Sequence, residues 1–228
     1  MLYIVGTPIG NMEDLSLRQA KTITSAEIIV TEDTRSTGML LKRIEELFHL
    51  SKKPECRLIS YYQDKEFEKL PEIISLLEVG KEIVLISESG MPLISDPGYL
   101  LVKEVIKRKI PYTVIPGPTA VVTALAHSGF KLNHFTFFGF LPRKKGDVNK
   151  TLLKAQEVSL LLGGSPIVFY ESANRLNETL LLLDVVAPNA HVCVCRELTK
   201  MYEEILRGTP KELSEMKFRG EIVLVISF

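Results

Sequence analysis

Four short clusters in this chain hold residue types that chemistry needs, and each follows a run that reads as a β-strand. They are GTPIGN at residues 6–11, EDTR at 32–35, SESGMPLISDPG at 87–98 and PGPT at 116–119. The strand ahead of the third, residues 83–86, is apolar and rich in β-branched side chains, the form of a buried parallel strand. In an open α/β sheet the carboxyl ends of parallel strands share one edge, and ligands bind in the crevice there. Four such clusters on one edge favour a shared site over four unrelated loops. Residues 87–98 carry two Gly, two Pro and three Ser. Bare backbone N–H and C=O groups would therefore face the ligand, as the floor of a cofactor site.

The loop at Gly6 fails both common phosphate-binding patterns. GxGxxG needs a glycine where Pro8 stands, and a P-loop needs Lys after Gly10, where Asn11 stands. Glu32-Asp33-Thr34-Arg35 sits at an expected helix start. Asp33 or Thr34 could simply cap that helix; equally, Asp33 or Arg35 could meet substrate. Glu171-Ser172-Ala173-Asn174-Arg175 repeats the pattern later and leaves the same two readings open. Arg143, Lys144 and Lys145 form the one tight basic cluster, preceded by Phe135, Phe137, Phe138 and Phe140. Any ring left exposed there could stack on a nucleobase beside phosphate-binding charges. His49, His127, His134 and His191 have no spacing for a triad or a metal cage. No metal site is expected.

Positioning these groups requires alternating strands and helices. Strands are expected at residues 2–5, 27–31, 58–61, 83–86 and 112–115. Helices are expected at about 16–24, from 35 through 47, at 67–79, 99–109 and 120–127. Ser16 and Gln19 have capping-box spacing. This βα alternation predicts a parallel sheet covered on both faces. After it the pattern changes. An extended aromatic stretch at 135–140 and a basic loop at 141–147 lead to a helix at 151–162. Strands follow at 167–170, 191–195, 203–206 and 221–226, with helices at 175–186 and 210–216. Strands in such close succession predict a mixed sheet. The reading is therefore two α/β domains, residues 1–117 and 118–228.

Composition sets outer bounds. The 228 residues are 46% hydrophobic and 25% charged, and 28 Lys+Arg balance 28 Asp+Glu. A generally basic nucleic-acid binder would be lopsided, so any such surface is a local patch. No apolar run approaches the roughly 18 residues of a membrane span, and no signal peptide is read, so a cytoplasmic protein without membrane contact is expected. The odd count of three cysteines fits free thiols in a reducing compartment. Cys193 and Cys195 are expected on one face of a strand.

The motifs LYIVGTPIGNMEDLSLRQA, TEDTR, SESGMPLISDPG, IPGPTAVVTAL, FFGFLPRKKG, FYESANRL, CRELTK and RGEIVLVI occur in that order. Together they resemble the tetrapyrrole methylase superfamily, most closely its bacterial ribosomal RNA small subunit methyltransferase I group. The resemblance covers essentially the whole chain. It implies S-adenosylmethionine as cofactor, S-adenosylhomocysteine as product, a cleft between two domains as the cofactor's place, and a homodimer. It implies methylation of a cytidine 2′-hydroxyl in small-subunit ribosomal RNA. Carried onto this sequence, it puts Pro8, Glu88, Gly90, Met91, Ile94, Thr119 and Ala120 at the cofactor from the first domain. Tyr170, Glu197 and Glu221 approach from the second. TEDTR, PRKKG and FYES look like the RNA-facing surface. Three departures stand out: Glu88 where the group has Asp, Met91 where it has Thr, and a chain that stops at Phe228 where many members continue into a small helical domain.

Methyl transfer from a sulfonium needs an in-line nucleophile, so the enzyme mainly supplies proximity and orientation. A ribose hydroxyl benefits from a base or from stabilisation of the developing alkoxide. Asp33 and Glu171 are the candidate bases. Arg35 and Lys144 are the candidate stabilisers or phosphate clamps. Two other readings stay open: methylation of a small tetrapyrrole or a protein side chain, and a module that binds cofactor or RNA without turnover.

Overall fold

The computed structural model describes residues 1–228. They form two compact units, Met1–Thr119 and Ala120–Phe228. In the first unit the chain runs β1 (Leu2–Val5), α1 (Leu17–Ser25), β2 (Ile28–Thr31), α2 (Thr34–Phe48) and β3 (Arg57–Ser60). It continues through α3 (Glu66–Glu78), β4 (Ile83–Ile86), α4 (Tyr99–Lys107) and β5 (Tyr112–Ile115). The five strands form one sheet in the order β3-β2-β4-β1-β5. Every pairing is parallel, with Leu2 opposite both Ile83 and Tyr112.

Alternate strand residues point to opposite faces, and both faces are packed. Leu2, Ile4, Ile28, Val30, Ile83 and Leu85 join Ile73, Leu77, Leu101 and Val105 of α3 and α4. Val5, Ile29, Val84 and Ile86 join Ala20, Ile23 and Ile44 of α1 and α2. This is the covered parallel sheet that the βα alternation predicts. The capping box at α1 is also present: Ser16 Oγ accepts from Gln19 N at 3.2 Å and Gln19 Oε1 accepts from Ser16 N at 2.6 Å.

The second unit holds α5 (Ala120–Ser128), β6 (Thr136–Phe140), α6 (Lys145–Leu161), β7 (Ile167–Ser172) and α7 (Ala173–Val186). β8 (His191–Arg196), β9 (Glu204–Gly208), α8 (Pro210–Ser214) and β10 (Glu221–Ser227) complete it. Its sheet has the order β6-β7-β10-β8-β9. β6 and β7 are parallel and the other pairings antiparallel, so the sheet is mixed as expected. One face packs Ile167, Phe169, Val192, Val194, Ile222 and Leu224 against α6 and α7. On the other face Cys193 and Cys195 lie side by side, Sγ to Sγ 3.7 Å, with Cys195 Sγ reaching Ala124 O of α5.

One expected element is corrected. The helix expected at 151–162 begins at Lys145, so the basic stretch is a loop only through Lys144. Gly146 and four charged residues mask the helical period there, which Val148, Leu152, Ala155 and Ser159 carry as buried positions. Asp147 in the first turn favours that end of the helix.

Candidate functional site

In the first unit, three loops at the carboxyl edge of the sheet interlock. Thr7 N donates to Gly90 O at 2.8 Å and Gly90 N to Thr7 O at 3.2 Å, tying the loop after β1 to the loop after β4. Gly6 N donates to Ile115 O at 3.0 Å, and Gln19 Nε2 donates to Gly6 O at 2.7 Å. Gly6 leaves no room for a side chain: a Cβ there would fall 2.6 Å from Met91 Sδ and 2.8 Å from Gly117 Cα. Met91 therefore lays its sulfur over Gly6. Pro8 and Gly90 are buried, and Met91 is half-buried. Ile94 is 45% exposed and Glu88 is exposed. Thr119 closes this unit, and Ala120 opens the next as the first residue of α5.

The loop from Gly90 to Gly98 is bent sharply. Gly90 and Gly98 have φ of 82° and 123°, and Leu93 and Ser95, which are not glycine, have φ of 75° and 68°. Glycine adopts such angles freely; at Leu93 and Ser95 they cost on the order of 1–3 kcal/mol each and persist where surrounding structure enforces them. Gly98 N is held by Glu66 Oε1 at 2.7 Å.

Three carboxylates at this edge feel one another's charge: Glu32 after β2, and Glu88 and Asp96 after β4. Burial, aided by the Glu32 charge, pushes the Asp96 carboxyl up to about 6, against a hydrogen bond from Ser87. Burial and the Glu88 charge push Glu32 up as well. In sequence Asp96 lies in the Gly/Pro-rich stretch 87–98 and Glu32 at the start of a helix, with nothing to link them. Their proximity follows from β2 and β4 being neighbours, a pairing that no local pattern encodes. No group of three or more His, Cys, Asp or Glu with metal-holding geometry comes together.

Asp33 caps α2: its Oδ1 accepts from Arg35 N at 2.7 Å. The Arg35 side chain is exposed. In the second unit Lys144 is exposed and occupies the cap position of α6 without a side-chain cap bond. Glu171, at the end of β7, is buried, with its side chain 0% exposed. Its Oε1 accepts from Ser172 N at 2.6 Å and pairs with Arg175 Nη2 at 2.5 Å, and its Oε2 accepts from Thr179 Oγ1 at 2.9 Å. A buried carboxylate engaged at both oxygens suits holding Arg175 better than taking a proton. Arg175 stands in the cluster that the sequence singles out, but its pairing with Glu171 is seen only in the fold. Its place one turn beyond Glu171 was the available signal.

Tyr170 is half-buried, with its ring 4.9 Å from Phe137 and 5.2 Å from Phe140. Phe140 is 62% exposed. Glu197 and Glu221 are brought together: Glu197 Oε1 accepts from Glu221 N at 2.8 Å, and Lys200 Nζ lies 3.2 Å from Glu197 Oε1 and 2.9 Å from Glu221 Oε2. The Glu221 N–H, then the Lys200 charge, hold Glu197 below the usual carboxylate range.

The chain is 41% identical over 232 residues to the ribosomal RNA small subunit methyltransferase I of Hydrogenobaculum sp. (strain Y04AAS1), covering 99% of this chain and 95% of that protein. It is 40% identical over 230 residues to the protein of the same name from Thermotoga maritima, covering 99% and 97%. Among solved structures, the methyltransferase CobJ matches with a TM-score of 0.69 at 18% identity, over 98% of this chain and 92% of that one. A Thermus thermophilus uroporphyrin-III C-methyl transferase complexed with S-adenyl homocysteine matches with a TM-score of 0.65 at 17% identity, over 99% and 96%. At that identity the likeness is one of fold. The family model described as Tetrapyrrole (Corrin/Porphyrin) Methylases matches residues 1–214, and the chain belongs to that family.

Proposed function

We propose that this chain is an S-adenosylmethionine-dependent methyltransferase that modifies a cytidine 2′-hydroxyl in small-subunit ribosomal RNA. The observation that carries this is near-full-length identity of about 40% to relatives named ribosomal RNA small subunit methyltransferase I. At its fold neighbours' 15–18% identity, tetrapyrrole methylation has much weaker support.

The carboxyl edge of the first sheet fits the cofactor. Gly6 and Gly117 let the loops after β1 and β5 close on each other, and Gly90 ties the loop after β4 to Thr7, so the three loops form one fixed rim at this edge. Glu32, Glu88 and Asp96 supply negative charge that complements a cationic sulfonium and an ammonium group. Pro8, Glu88, Gly90, Met91, Ile94 and Thr119 of the first unit, and Ala120, Tyr170, Glu197 and Glu221 of the second, are the residues proposed to hold it. When bound, S-adenosylmethionine supplies an electrophilic methyl group on positively charged sulfur.

The protein's part is to hold the ribose hydroxyl in line and manage its proton. Asp33 Oδ1 is committed to its cap, so Oδ2 is the proposed proton acceptor. Arg35 and Lys144, both exposed, are proposed to clamp RNA phosphates or steady the developing alkoxide. The tilted Phe140 and Tyr170 rings offer a stacking surface beside Arg143 and Lys144.

The test is transfer of a labelled methyl group from S-adenosylmethionine to small ribosomal subunits, with the modified nucleotide mapped. Label on a cytidine ribose supports the reading. Label on protein, or cofactor binding with no transfer, ends it. The reading includes a homodimer in the cytoplasm, carried by the family resemblance. A monomer mass in sedimentation at micromolar concentration would remove the dimer. No helix is long and apolar enough to cross a membrane.

A further inference from the structure

Arg175 connects a buried carboxylate to the segment that leads into the basic cluster. Its Nη2 lies 2.5 Å from Glu171 Oε1, and its Nη1 donates to Pro142 O at 2.8 Å and Leu141 O at 3.3 Å. On the other side of that segment, Leu141 N donates to Tyr170 O at 3.3 Å. The chain between Phe140 and Lys144 is thus pinned by a strand backbone and by one guanidinium. Phe140, before the pinned pair, is 62% exposed, and Arg143 and Lys144, after it, are exposed. Lys145, the next residue, pairs with Glu178 of α7 and so ties the start of α6 to the helix that bears Arg175.

We propose that Arg175, anchored by Glu171, is a positioning residue that fixes the spacing between the Phe140 ring and the Arg143–Lys144 charges for a single-stranded RNA segment. The proposal rests on the reading of RNA as substrate. A base stacked on Phe140 and a phosphate on Lys144 are both engaged only when the intervening backbone has the right form. A segment ordered before binding pays none of that ordering cost on encounter. Arg175 acts here through geometry: its charge is matched by Glu171, so it contributes no phosphate contact of its own. Its planar fork places Nη1 on two carbonyls and Nη2 on the carboxylate, a spacing that the single nitrogen of lysine does not reproduce.

The experiment uses full-length protein, small ribosomal subunits as RNA substrate and three variants, Arg175→Ala, Arg175→Lys and Glu171→Gln. For R175A, KM for RNA is expected to rise at least tenfold, with kcat at saturating RNA and S-adenosylmethionine affinity within about twofold of wild type. The slope of log affinity for RNA against log salt is expected to stay at the wild-type value, because no phosphate contact is lost. R175K and E171Q should fall between R175A and wild type, and they carry the same test if R175A does not fold. A KM within twofold of wild type in all three variants overturns the proposal. So does an equal loss of cofactor affinity, which would mark a general structural role, or a salt slope lowered by about one contact, which would make Arg175 a direct phosphate ligand. A wild-type protein that leaves the RNA unmethylated overturns the substrate reading itself, a result separate from these.

Discussion

Gly6 and Gly117 meet backbone to backbone: a Cβ on Gly6 would lie 2.8 Å from Gly117 Cα, and one on Gly117 would lie 2.9 Å from Gly6 Cα. Backbone cannot swing aside as a side chain can. Gly6→Ala and Gly117→Ala are therefore expected to lower stability by about 1–3 kcal/mol. Both should also weaken S-adenosylmethionine binding at least tenfold, because the loops after β1 and β5 must part. Gly38→Ala is the control. It lies inside α2 with nothing within 4 Å of its added carbon, so it should stabilise by roughly 0.5–1 kcal/mol. Chemical denaturation and calorimetry of the three variants check the contrast.

Arg35→Ala and Lys144→Ala should cripple RNA methylation while leaving cofactor affinity within twofold. Both side chains are exposed, so neither loss should disturb the fold. Each should lower the salt slope of RNA binding by about 0.7–0.9 if it removes one phosphate contact. A matched fall in cofactor affinity would contradict that division of labour.

Asp96 should make stability depend on pH with an unusual sign. Its folded carboxyl is pushed up to about 6 by burial first and by the Glu32 charge second, from an ordinary value of 3.8. The folded state then binds the proton more tightly than the unfolded chain. This contribution is fully present below pH 4, is lost as pH rises towards 6, and is flat above that. Asp96→Asn should reduce the slope, leaving the part that Glu32 contributes, and make the protein on the order of 1 kcal/mol more stable at pH 7, allowing for partial solvent screening. Urea titrations from pH 4 to 7.5 read this directly, and a slope unchanged from wild type in the variant refutes the assignment.

The three thiols should be silent until the protein unfolds. Cys56, Cys193 and Cys195 are free and buried. Burial raises the Cys56 thiol, and the hydrogen bond to Cys193 followed by burial raises Cys195; the same bond lowers Cys193, whose complete enclosure is what keeps reagent away. Thiolate is the reactive form. A disulfide-exchange reagent should therefore count no fast-reacting thiol in native protein and three in urea.

The first unit was legible because its signals are local. Each buried parallel strand is a continuous apolar run, such as Ile83–Ile86, and each ends in turn residues. The capping box at Ser16 and the cap at Asp33 could be read in the same way. Their partners could not: Arg175 reaches Pro142 across 33 positions, and Asp96 meets Glu32 through strand neighbours far apart in sequence. The start of α6 was misread because Lys144, Lys145, Gly146 and Asp147 look like loop composition, while the buried period begins only at Val148. The charge of Glu171 is visible in sequence and its enclosure is not.

The position of β1 between β4 and β5 has a consequence for biosynthesis. Leu2 pairs with Ile83 and Tyr112, so the strand made early has no partner until some 80 further residues have been added, and no second one until about 110. At roughly 5–20 residues per second, Leu2, Ile4 and Val5 wait about 5 to 20 s for both neighbours. A chaperone that shields nascent apolar segments should bind this unit during translation and release it once β5 has emerged.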